Sequence, residues 1–182
     1  MVSSPILAGQ TVTAAELNNI PVALDVLTFS SVTNTVTETV IGTFPLGIPA
    51  GDAVANSGYQ FSLTFSHDCS GTPTVQYRLY MASIAAANII FDSTVLNMSG
   101  THTFQACGMM AFMVCTNAGV AGTFDSYGFC NFNNTSQGDA DFSETGHTIN
   151  TTVANQIILT CKWGTASASN TARTTGGVMR RS

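Results

Sequence analysis

Residues 59 to 66 alternate without a break, with Tyr59, Phe61, Leu63 and Phe65 interleaved with Gln60, Ser62, Thr64 and Ser66. Successive side chains leave an extended backbone on opposite sides, so a period of two marks a strand with one face in a core and one in water. After the turn CSGTP the pattern resumes through Val75, Tyr77, Leu79 and Met81, and the two runs together predict a hairpin with one apolar face. Residues 32 to 41, VTNTVTETVI, set Val32, Val36 and Val40 against Thr33, Thr35, Thr37 and Thr39, which predicts another strand because β-branched side chains favour extended backbone. GTFPLGIPAGD carries Pro45 and Pro49 and is expected to be a loop crossing a sheet edge.

Further strand candidates follow at short intervals: 88–96, 101–107, 109–115, 124–132, 142–150 and 155–163, with an edge strand within 170–179. Eight or nine strands at this spacing predict an antiparallel sandwich or barrel. MMAFMVC, 109–115, is apolar at every position, so it is expected to be buried on both faces, in the core or against a neighbouring subunit. NAGVAG and NNTSQGD are glycine- and amide-rich and mark loop tips.

The front of the chain differs. Thr13 and Glu16 form a T-x-x-E capping box, and Pro21 ends the short helix that it begins. A helix this short is marginal alone, so Leu17 and Ile20, with Ile6 and Leu7 ahead of them, must dock on the chain's own barrel or on another protein. The expected fold class is all-β, an antiparallel jelly-roll-like sandwich over 26–182, preceded by an arm over 1–25 that holds one small helix.

Composition restricts the partners. Charged residues make up 8% of the chain and threonine occurs 26 times, so the polar surface is built from hydroxyls and amides. Net charge is −5, and five cations provide no basic stripe for a nucleic-acid backbone. No run of 18 apolar residues suits a membrane span, and the opening MVSSPILAGQ does not resemble a cleaved signal. Nucleic acid and membrane are therefore not expected as partners. Cys69, Cys107, Cys115, Cys130 and Cys161 form no C-x-x-C and read as free, mostly buried thiols made in a reducing cytoplasm.

Nucleophilic catalysis needs a nucleophile beside a base that a third group orients. His67, His102 and His147 stand in strand or turn context without a G-x-S-x-G, so no catalytic residue, and no enzyme, is expected. His67-Asp68-Cys69 alternate across a strand and cannot converge on one ion, while Asp139, Asp141 and Glu144 read as a solvated acidic turn; neither a metal nor another cofactor is expected. Asp125 with those acids could instead make a carboxylate pair for glycoside hydrolysis. Met109, Phe112 and Trp163 are the candidate anchors of a core or a subunit interface.

Three segments carry a resemblance. AGQTVTAAELNNI is similar to the AG-x-x-(V/I/L)-T-A-x-x-x-N segment that opens many tailed-bacteriophage structural proteins. TINTTVANQIILTCKWGTASASNT and GIPAGDAVANSGYQFSLTFSHDCSGTPTVQYRLYM resemble parts of phage jelly-roll modules. The resemblance implies a homotrimer of jelly-roll domains at the virion surface, made in the host cytoplasm. Without a coiled-coil or β-helical shaft, it implies a capsid decoration (cement) protein bound to the major capsid protein or another virion protein through Ile6, Leu7, Thr13, Glu16, Leu17 and Ile20. The alternative is the receptor- or glycan-binding tip of a head or tail fibre, binding through loop tips such as NAGVAG and NNTSQGD with surface aromatics such as Tyr127 and Phe129 stacking on sugars.

Overall fold

The alternating segments form strands that stack as two antiparallel sheets with their apolar faces turned toward each other. The computed structural model describes residues 23–133, 135 and 138–182. The short helix and the six arm residues proposed for docking lie outside the described residues. Strand pairing begins at Ala23, within the segment assigned to the arm.

Thirteen strands are described: β1 (Ala23–Val26), β2 (Thr28–Phe29), β3 (Ser31–Thr33), β4 (Thr39–Ile48), β5 (Gly58–Cys69), β6 (Thr74–Met81), β7 (Ile89–Asp92), β8 (Leu96–Asn97), β9 (His102–Asn117), β10 (Gly122–Phe132), β11 (Gly138–Ile149), β12 (Asn155–Trp163) and β13 (Thr171–Arg181). One sheet runs β1-β13-β5-β9-β10-β11, with β3 also on β13; the other runs β2-β4-β12-β6-β7, with β8 on β6. The first and last described strands are neighbours, and from β4 onward the chain passes between sheets at β4–β5, β5–β6, β8–β9, β11–β12 and β12–β13. Four strands against four in this order, β1-β13-β5-β9 over β4-β12-β6-β7, is the jelly-roll arrangement. The β10–β11 hairpin widens the first sheet beyond it.

The core lies between the layers. Phe65 on β5 reaches across to Tyr77 on β6, their ring centroids 4.8 Å apart, and Tyr77 stacks on Phe132 of β10 at 5.8 Å. Phe44 and Phe61 meet across the sandwich at 5.9 Å. Tilted and offset rings at these separations add to the area they remove from water. Trp163, Tyr59 and Phe124 are also fully buried.

Three sequence expectations are corrected. The runs 59–68 and 74–81 are not a hairpin: β5 pairs with β9 and β13, and β6 with β12 and β7, so the turn through Gly71, at φ 75°, crosses between layers. Alternation records which side of a strand is apolar, and two strands facing each other across a core carry the same record as two strands side by side. Residues 32–41 are not one strand, because Asn34 at φ 56° ends β3 and β4 starts at Thr39. GTFPLGI is strand: β2 pairs only with Gly42 and Thr43, so beyond Thr43 this side of β4 is open and Pro45 removes no ladder bond there. Opposite it, the ladder to β12 slips between Ile157↔Phe44 and Asn155↔Ile48, which leaves room for the proline.

Candidate functional site

The reactive side chains are mostly turned inward. His67 and Cys69 are two apart on β5 and share its core side, whereas Asp68 points outward to the Arg173 guanidinium. Nδ1 of His67 lies 3.1 Å from the Tyr77 hydroxyl and 3.6 Å from Cys107 Sγ, and Nε2 lies 3.2 Å from the Asn133 carbonyl oxygen. Burial, with the nearby His102, pulls the His67 pKa down to about 4. Burial also pushes the Cys107 thiol up to about 12 and holds the thiols of Cys130 and Cys161 well above the ordinary range. All five cysteines are free and buried. A protonated, enclosed thiol is a poor nucleophile and a poor ligand, and among the described residues no three histidine, cysteine or acidic side chains are placed to hold a metal ion.

One pair that sequence reasoning missed resembles a nucleophile and its base: Ser126 Oγ stands 3.2 Å from His147 Nε2. The hydroxyl already donates to the Ile90 carbonyl at 3.0 Å, so the imidazole is the donor to Oγ. Ser126 is buried as well. The pair therefore stitches β10 to β11 and to Ile90 and leaves the hydroxyl unactivated. The bulges at Phe124/Ser126 in the β10–β11 ladder bring the two together, and a register slip of that kind is not legible in sequence.

On the second sheet's outer side, Glu38 ties the 34–38 segment down. Its Oε1 accepts from the Tyr80 and Thr160 hydroxyls at 2.6 Å each, and its Oε2 accepts from Arg78, which also donates to Asp92 at 2.8 Å. Burial pushes the Glu38 carboxyl up, but these hydrogen bonds and the Arg78 charge outweigh it and hold the group below the ordinary carboxylate range. Every oxygen of the cluster is engaged within the chain, as expected of a structural clasp.

The outer side of the first sheet is different. The strand register places Arg180, Gln60, Phe112, Tyr127 and Ser143 in one row across β13, β5, β9, β10 and β11. The next row is Val178, Ser62, Met110, Phe129 and Asp141. Phe112 and Tyr127 stack 5.3 Å apart and 14° from parallel, and Tyr127 and Phe129 each keep 49% of their surface in water. A depression of about 230 Å³ opens beside them, lined by Gln60, Ser62, Met110, Val178 and Arg180. Of the charges at its ends, Arg173 and Arg181 pair with Asp68 and Asp52, whereas Arg180 has no ion-pair partner among the described residues. On β11, Asp139 accepts from the Asn131 amide and Asp141 is exposed.

Met109 and Trp163 are therefore in the core, and Phe112 is on this outer face. MMAFMVC is closed on one side only: Met109, Ala111, Met113 and Cys115 are buried, while Met110, Phe112 and Val114 face outward and are half-buried. Tyr127 and Phe129 stand in the middle of β10, within the strand expected at 124–132.

No family model matches the chain, and no curated protein matches it. Among solved structures it is similar to lectin UEA-II complexed with galactose, at 7% identity over 85% of this chain and 92% of that one, with a TM-score of 0.39. It is also similar to metal-free lectin I-B4 from Griffonia simplicifolia, at 8% identity over 86% and 93%, with a TM-score of 0.34. A third likeness is to infectious bursal disease virus Gx strain, at 12% identity over 89% and 39%, with a TM-score of 0.19. Likenesses at these values supply no function. The class defined by the chain's own strand order is an antiparallel jelly-roll β-sandwich.

Proposed function

We propose that the chain is a structural, non-catalytic component of a tailed-phage virion, a trimeric capsid decoration protein attached to the shell through its first 21 residues. The observation that carries the reading is the inward placement of the chemistry. The five thiols and His67 are enclosed, the Ser126 hydroxyl is spent on a carbonyl, and the Glu38–Arg78–Asp92 cluster is saturated within the chain. Such a molecule offers rigid surface. The phage assignment rests on the resemblance of AGQTVTAAELNNI and of the 47–81 and 148–171 segments, with Ile6, Leu7, Leu17 and Ile20 as the apolar contacts of the arm.

Three arms on one trimer bind a shell together, since each later arm engages at high effective concentration, and weak individual arms then suffice. Co-sedimentation with capsids of the phage that encodes the chain tests this. The full chain is expected to pellet with the shells. A chain lacking residues 1–21 is expected to keep its fold by circular dichroism and to stay in the supernatant. Loss of fold on deletion would instead make the segment a plug of its own barrel.

A further inference from the structure

Among the described residues, the outer face of the β1-β13-β5-β9-β10-β11 sheet carries an apolar strip that the single chain leaves open to water. We infer that it is where copies of this chain meet, the β13 side of one copy against the β11 side of the next. This deepens the trimer reading above and rests on its self-association.

Three observations converge on a second copy as the occupant. The centre is apolar, because the register sets Met110 and Phe112 of β9 beside Phe129 and Tyr127 of β10 in two adjacent rows. An outward apolar patch of this kind on a chain otherwise clothed in hydroxyls marks an interaction surface. The charges are arranged to complement their own kind: Arg180 stands on β13 and Asp141 on β11, each two strands from β9 and so roughly 10 Å to either side of it. A copy that turns its β13 side toward its neighbour's β11 side brings arginine to aspartate, a head-to-tail contact of the kind that makes a ring when its rotation closes. Finally, Phe112 and Tyr127 each spend one ring face on the other. A sugar platform needs an open ring face, whereas a protein surface packs against edges equally well. The apolar rows form a centre with Gln60, Ser62 and Ser143 around it, the arrangement of a polar rim about a desolvated core.

Sedimentation velocity of the full-length chain over a concentration series tests the contact. The wild type is expected to be oligomeric. Phe112→Ser with Tyr127→Ser is expected to raise the concentration at which it dissociates by about a hundredfold or more while the circular dichroism is unchanged. Arg180→Glu and Asp141→Arg are each expected to raise it about tenfold, and the two together to restore association, which a folding defect would not do. A monomeric wild type overturns the inference, and if it still pellets with shells, the decoration reading survives without it. An oligomer indifferent to the serine and charge variants overturns it too, and places the contact elsewhere. A monomer that binds an array glycan and loses it on Tyr127→Ser overturns it in favour of a sugar.

Discussion

His67 is the residue through which pH is expected to act on the fold. It is fully enclosed between Tyr77, Cys107, the His102 ring and the Asn133 carbonyl. Its folded pKa of about 4 lies below the ordinary histidine value, so between about pH 6.5 and 4 the unfolded chain binds a proton that the folded chain refuses. Its contribution is complete above about pH 6.5, declines as the pH falls through that window and levels off below about 4. The expected loss is about 3 kcal/mol, read from urea midpoints at each pH, and His67→Gln is expected to flatten this part of the profile. An unchanged slope in the variant would assign the dependence to other groups. The enclosed thiols give a second test: Ellman's reagent is expected to titrate none of the five quickly in the native protein and all five in guanidinium. Rapid native labelling of Cys107 or Cys130 would contradict the packing.

At the scale of elements, the bend in β4 is the most exacting piece of local structure. Asp25 on β1 holds it: Oδ2 accepts from the amides of Leu46 and Gly47 at 2.7 and 2.8 Å, and Oδ1 accepts from the amide of Val26 at 2.8 Å. Asp25→Ala strands these donors and is expected to cost about 2–4 kcal/mol in denaturant unfolding. Gly47 sits at φ 54°, and a Cβ there would lie 2.0 Å from the Asn155 carbonyl oxygen. Gly47→Ala is therefore expected to cost about 3 kcal/mol or more, from strain and overlap together. A variant within about 0.5 kcal/mol of wild type would show that the bend is not held as described.

The same element shows where sequence reasoning stops. The prolines of 43–52 argue against a central strand, and β4 does run along an open side there, but only the strand order reveals that its pairing with β2 stops at Thr43. Likewise the alternation of 59–66 and 75–81 identifies Phe61, Leu63, Phe65, Tyr77 and Leu79 as core residues, and all five are buried. It is silent on the partner strand, because pairing is a long-range choice and periodicity a local one. The outer face was legible only as an excess: MMAFMVC holds more apolar residues than one core uses, and the register with β10 is what sets Phe112 beside Tyr127.

At the scale of the whole molecule, two layers with the first and last described strands side by side make a block whose surface varies without touching its core. The jelly-roll order follows from the strand pairing; the phage assignment, the trimer and the shell as partner are proposals that rest on short sequence resemblances and on the inward placement of reactive groups. If the block is scaffold material, surface substitutions in the hydroxyl-rich side of the second sheet are expected to leave stability within about 0.5 kcal/mol, while the apolar rows of the first sheet are expected to govern association. Glu38→Gln is the informative exception, because it weakens the clasp on Arg78, Tyr80 and Thr160.

Electron microscopy of the assembled particle decides whether the sandwich decorates the capsid shell. Density is expected on the outside of the capsid shell into which the two-sheet sandwich of residues 23–182 fits, present as three copies around an axis with the first-sheet faces turned toward one another. A complete particle without that density, or with the density at the tail tip, would contradict it.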